Sequence, residues 1–157
     1  MRIGIDARFL THPQKGGFKT YSENLISALA RIETKNTYFL YLDREPDETT
    51  QLPQKPNFNY RVVPGELPYL GMPWREQIGL PLQVKRDGID VLHSPCLTAP
   101  IRRLPCVSVV TIHDMIWFFP EKFSQRNSTP IKRKPLEWYY RRIPEYAARN
   151  ADRKSVV

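Results

Sequence analysis

The chain has 157 residues, 41% of them hydrophobic and 11% aromatic, enough for one domain whose core buries roughly two-thirds of the surface that the unfolded chain exposes. No apolar run approaches the ~20 residues that span a bilayer, and Asp6 interrupts the start before a secretory apolar region can form. Cys96 and Cys106 belong to no C-x-x-C pair, so the reading is a cytoplasmic chain with free thiols and neither a disulfide framework nor a structural zinc. The net charge of +8 is concentrated late, where Arg126, Lys132, Arg133, Lys134, Arg141, Arg142, Arg149, Arg153 and Lys154 meet only Glu137, Glu145 and Asp152. Such a field favours an anionic partner, whether lipid head groups, a phosphorylated substrate or nucleic acid, unless it is a solvated helix face.

The first predicted strand is Ile3-Gly4-Ile5, which delivers Asp6-Ala7-Arg8. A turn-rich stretch from Leu10 to Gly17 follows, and then Phe18, Tyr21, Leu25, Leu29 and Ile32 recur at helical spacing. Thr20-Tyr21-Ser22-Glu23 fits a capping box, while Gly17 is an alternative start for the same helix. Tyr38 to Leu42 reads as an aromatic-rich strand, Arg44 to Asn59 as a proline-broken surface loop, and Tyr60 to Val63 as a third strand. The apolar loop from Pro64 to Pro73 is expected to fold over the crevice or onto a partner. Trp74, Ile78, Leu82 and Val84 mark a short helix, disturbed near Pro81 and closed by Gly88.

Asp90 to His93 is the fourth strand and leads to Ser94-Pro95; Val107 to Ile112 is the fifth and ends in His113-Asp114. Short β-branched runs closed by polar groups read as buried parallel strands whose last residues leave the sheet's carboxyl edge, where open α/β sheets bind ligands. From Lys132 a long helix is expected, with Leu136, Tyr139 or Tyr140, Ile143 and Ala147 inward and Pro144 as a kink, and a sixth strand starts near the end. Strands alternating with helices predict a doubly wound α/β fold with a parallel sheet.

Two chemistries suit these residues. Gly16 and Gly17 precede a helix whose amides and dipole favour an anion, although the spacing matches neither a dinucleotide fingerprint nor a P-loop and also suits a chain-reversing turn. His113, ending a buried strand beside Asp114, has its ring near the crevice and a carboxylate to orient it, or else packs the strand end. A metal held by His93, Asp6 and His113 lacks a third fixed histidine or an H-x-x-H pair, and no G-x-S-x-G elbow supports a serine triad.

Six segments in order, MRIGIDARFL, GGFKTYSENL, PWREQIGLP, GIDVLHSP, VVTIHD and AARNADR, resemble the amino-terminal half of family-four glycosyltransferases, the retaining GT-B type. The resemblance implies a Rossmann-like acceptor-side domain spanning 1–157, in an enzyme that moves a sugar from a nucleotide-sugar donor to a hydroxyl of a sugar or lipid-linked acceptor, in polysaccharide or glycolipid synthesis. It further implies that Gly16 and Gly17 approach the donor phosphates, that His113 is the catalytic residue contacting the transferring sugar, and that Asp114 steadies the strand end. His93, Ser94 and the loop from Glu66 to Pro73 would line the acceptor side. No metal or other cofactor is expected, and peripheral contact with the inner face of the membrane is. The family continues into a donor-binding domain, from which Lys154-Ser155-Val156-Val157 departs, so the chain reads as a truncated half, inactive alone. The competing readings are a basic module that binds nucleic acid or membrane without catalysis, supported by Lys132-Arg133-Lys134 near Trp138, and an epimerase of the same two-domain architecture.

Overall fold

A computed structural model describes residues 1–13, 16–32, 35–65, 70–113 and 134–156, with backbone alone at 134–137 and 156. Its elements are β1 (Arg2–Asp6), α1 (Arg8–Thr11), α2 (Gly17–Arg31), β2 (Thr37–Leu42), β3 (Phe58–Val62), α3 (Gly71–Trp74), a π-helical turn (Arg75–Gly79), α4 (Leu80–Arg86), β4 (Val91–Ser94), β5 (Val107–Ile112), α5 (Lys134–Asn150) and β6 (Arg153–Val156). The six strands form one all-parallel sheet in the order β3-β2-β1-β4-β5-β6. This is the order of a Rossmann-like sheet, which reverses direction between β1 and β4 and opens a crevice at their carboxyl ends.

Register assigns each strand's side chains to a face. Ile5, Tyr38, Leu40 and Leu42 pack with Ala7, Leu10 and Ile26 under α1 and α2. Phe39, Tyr41 and Leu92 pack under Leu80 and Val84 on the opposite face, where Val110 meets Ala147 and Ala151. The chain passes from β2 to β3 and from β4 to β5 without a helix, so the proline-broken loop read after β2 is the connection observed there.

Several expectations are corrected. The capping box does not form: α2 begins at Gly17, Gly16 is its N-cap with no side-chain bond, and Thr20 Oγ1 instead reaches back to the Gly16 carbonyl at 3.5 Å. Its most buried positions are Ser22 and Ile26, while Ile32 is exposed. β3 starts two residues early because Phe58 stacks on Tyr38, with ring centroids 4.6 Å apart. β6 forms despite its polar sequence, since an edge strand needs only one partner and tolerates exposed lysine and arginine.

The largest correction concerns the helical stretch 71–86: of the residues that mark it, Val84 is buried beside Leu80, but the other three face outward. Trp74, Ile78 and Leu82, expected inward, are 45%, 48% and 51% exposed, whereas Arg75 and Glu76 are 0% and 1% exposed. Pro81 has no amide for the carbonyl four residues back, and the π-helical turn just before it absorbs that lost bond. The end is as expected: Gly88 has φ of 57°, its amide bonds the Lys85 carbonyl at 3.2 Å, and the Ile89 amide bonds that of Val84 at 3.2 Å, a Schellman closure. α5 runs through Pro144 and buries Tyr139, Ile143 and Ala147; Leu136 lies outside the described side chains.

Candidate functional site

β1, β4 and β5 are neighbours, so Asp6, Ser94 and His113 do arrive at one edge, but on different faces of the sheet. His93 shares the α2 face with Ile5 and lies 2.8 Å through Nε2 from Thr111 Oγ1. Burial, and then the nearby His113, holds its imidazole below the usual histidine range. His113 lies on the same side, with its ring edge-on to Tyr21 (4.5 Å) and Phe18 (5.2 Å). Its Nε2 is 2.8 Å from the Pro95 carbonyl. Because a carbonyl only accepts, that nitrogen carries the proton, and in the neutral ring Nδ1 holds the lone pair. Ser94 points to the other face, buried beside Val110 in register, and its hydroxyl finds no partner among the described residues. Asp114 and residues 66–69 lie outside the described residues.

Gly16 adopts φ of 159° and ψ of −175°, a backbone region that only glycine fills readily. A Cβ placed on Gly16 or Gly17 would meet nothing within 4 Å, so both face open space at the start of α2.

Sequence reasoning missed the buried polar network beneath the crevice. Arg75 donates from Nη2 to Asp6 Oδ1 (2.8 Å) and the Tyr41 carbonyl (2.9 Å), and from Nε to the Val63 carbonyl (2.9 Å). One guanidinium thereby ties the carboxyl ends of β1 and β2 to the segment after β3. Its Nη1 is buried without a partner among the described residues. Arg8 donates from Nη1 to Glu76 Oε2 (2.7 Å) and from Nη2 to Thr98 Oγ1 (2.8 Å), and its Nη1 is 3.6 Å from Asp6. Tyr139 donates to Glu76 Oε1 (2.8 Å), and the Gln77 amide bonds both Tyr139 (2.9 Å) and the Ala99 carbonyl (3.2 Å), bringing α5 into the same network. Burial alone would raise the Asp6 carboxyl, but Arg75 and Arg8 outweigh it and hold it below the ordinary carboxylate range. Burial and Glu76 together push the Tyr139 phenol far upward. The available sequence signal was the Arg75-Glu76 pair between the apolar residues Trp74 and Ile78, which requires partners if it is turned inward.

Above this network is a cleft of about 290 Å3, walled by Phe9, Phe18, Tyr140, Pro144 and Met72, with Arg8, Cys96 and Thr98 at its polar end and His12 on its rim. Phe18 both lines the cleft and packs against His113, and so joins the predicted histidine to the cavity. Leu97, also in the wall, has φ of 41°, an uncommon left-handed backbone for a residue with a side chain. Burial pushes the Cys96 thiol up to about 12, so it stays protonated and is no nucleophile. Among the described residues no three His, Cys, Asp or Glu side chains gather as metal ligands. No family model matches the chain, and no curated protein or solved structure matches it significantly.

Proposed function

We propose that this chain is the acceptor-side domain of a retaining GT-B glycosyltransferase, working with a donor-binding domain to move a sugar from a nucleotide-sugar to a hydroxyl acceptor. The observation that carries the reading is the cleft itself: it opens at the carboxyl edge of a 3-2-1-4-5-6 sheet, and Phe18 in its wall both follows the Gly16–Gly17 helix start and packs against His113. The first backbone amides of α2, at Gly17 and Phe18, suit a diphosphate, since the start of a helix leaves its leading donors without an intrahelical acceptor at a positive end, whereas the Lys19 and Thr20 amides already bond the Gly16 carbonyl. His113 would offer a sugar hydroxyl its ring nitrogen, with Pro95 fixing the tautomer. The same reading takes in a sugar or lipid-linked acceptor and contact with anionic lipid through Arg141, Arg142 and Arg149, which are exposed on α5.

The groups in hand contribute a few hydrogen bonds of roughly 1 to 3 kcal/mol each, small beside the ~8 kcal/mol or more that enzymes supply. The domain alone is therefore expected to melt cooperatively and release no nucleotide from UDP-glucose or GDP-mannose, and to support transfer once joined to a donor-binding domain. Calorimetry with a coupled nucleotide assay checks both. Sustained release by the domain alone contradicts the division of labour, and a joined enzyme that folds yet transfers nothing from a panel of nucleotide sugars contradicts the function.

A further inference from the structure

We propose that the cleft between α1, the start of α2 and α5 takes an uncharged, ring-bearing ligand, an unphosphorylated glycoside rather than an anionic one. Its role as acceptor rests on the glycosyltransferase reading; its chemistry rests on the cleft.

The decisive feature is charge balance. Arg8 is the only cationic side chain in the lining among the described residues, and it is already committed to Glu76 at 2.7 Å and Asp6 at 3.6 Å. Arg75 compensates the other side of Asp6 at 2.8 Å, so the floor holds two guanidiniums against two carboxylates. An entering phosphate or carboxylate would have to draw Arg8 away from Glu76, stranding a buried carboxylate, and a buried charge left unpaired costs more than the new contact returns. The remaining titratable lining adds no charge near neutrality: burial lowers His12 and raises both Tyr140 and the Cys96 thiol. What the cleft does offer is shape. Phe9 and Phe18 are stacked with centroids 5.2 Å apart, and Tyr140 completes an aromatic wall. Such faces receive the C–H side of a pyranose or an aryl aglycone, while Thr98 and Arg8 at one end give hydroxyls a polar neighbour.

The test is a ligand-observed NMR titration of the purified chain with two probes of the same outline, para-nitrophenyl β-D-glucopyranoside and para-nitrophenyl β-D-glucuronide. The glucoside should bind saturably and the glucuronide about tenfold more weakly or worse, and Phe9→Ala should weaken the glucoside. Glu76→Gln, which keeps the shape but frees Arg8, should narrow or reverse the preference. Equal or tighter binding of the glucuronide to the unmodified chain overturns the proposal, as does saturable binding of neither probe. Both of these outcomes are read on the unmodified chain, so they stand even if Glu76→Gln fails to fold. Because no nucleotide sugar is present, a preference for the glucuronide sinks this inference while leaving sugar transfer standing, and a failed transfer assay leaves the cleft's preference intact.

Discussion

At the scale of single residues, the crevice depends on charges that cannot be separated. Replacing Arg75 by alanine leaves Asp6 facing a single, more distant guanidinium at full burial, and a loss of roughly 3 to 5 kcal/mol is expected in urea denaturation. Arg75→Lys should rescue little of this, because one ammonium cannot reproduce donors fixed toward Val63, Tyr41 and Asp6 at once. A lysine variant as stable as the parent would show that the site reads only charge. Stability should also fall with acidification in two separable stages. His93 is held below its ordinary value of 6.5, so the unfolded chain takes up its proton first and stability declines as pH drops through that value, levelling off below the folded value. Asp6 is held below 3.8, so its contribution is complete above 3.8 and is lost as pH falls from there through the folded value. His12 is lowered by burial too, so His93→Gln should shrink the first stage without abolishing it and keep the second; a profile unchanged by that substitution assigns the near-neutral loss to His12 or another group.

At the scale of elements, the strands are legible in the sequence and one helix is not, and the difference is physical. A buried parallel strand announces itself as a short run of β-branched or aromatic residues, which is why β1, β2, β4 and β5 fall where their sequences place them. The stretch 71–86 has the apolar period of an amphipathic helix, yet it is the charged pair that turns inward, because Asp6 and Arg8, distant in sequence, wait there to receive it. Strand ends and turns point to Gly16, Gly17, His93, Ser94 and His113, whereas nothing local to Arg8, His12, Arg75, Glu76 or Thr98 reveals that they meet. Gly79 marks how closely this helix lies: a Cβ there would come within 3.0 Å of Val63 Cγ1 and 3.1 Å of the Trp74 ring. Gly79→Ala should cost about 1 to 3 kcal/mol through overpacking, despite alanine's better helix propensity, and a stabilised variant in thermal melts would refute that close contact. α5 carries a different expectation. Each well-placed basic residue near an anionic bilayer contributes about 1 kcal/mol, so replacing Arg141, Arg142 and Arg149 by glutamine should reduce sedimentation with anionic vesicles at low salt. Equal sedimentation of the parent chain with neutral and anionic vesicles removes lipid contact through α5.

At the scale of the whole molecule, the sheet order explains why residues far apart in sequence share one edge. The reversal between β1 and β4 opens the crevice; the Arg8–Glu76 and Arg75–Asp6 pairs brace its floor, and Phe18 connects its wall to His113. If this edge serves sugar transfer, His113 acts in it beyond packing. The most direct measurement joins the chain to a donor-binding domain and compares His113→Ala with the parent in both transfer rate and unfolding free energy. Loss of ring contacts with Phe18 and Tyr21 should lower stability modestly, by about 1 to 2 kcal/mol, while turnover per folded molecule falls at least about tenfold. A stability loss with turnover per folded molecule unchanged would contradict that role and return His113 to the core.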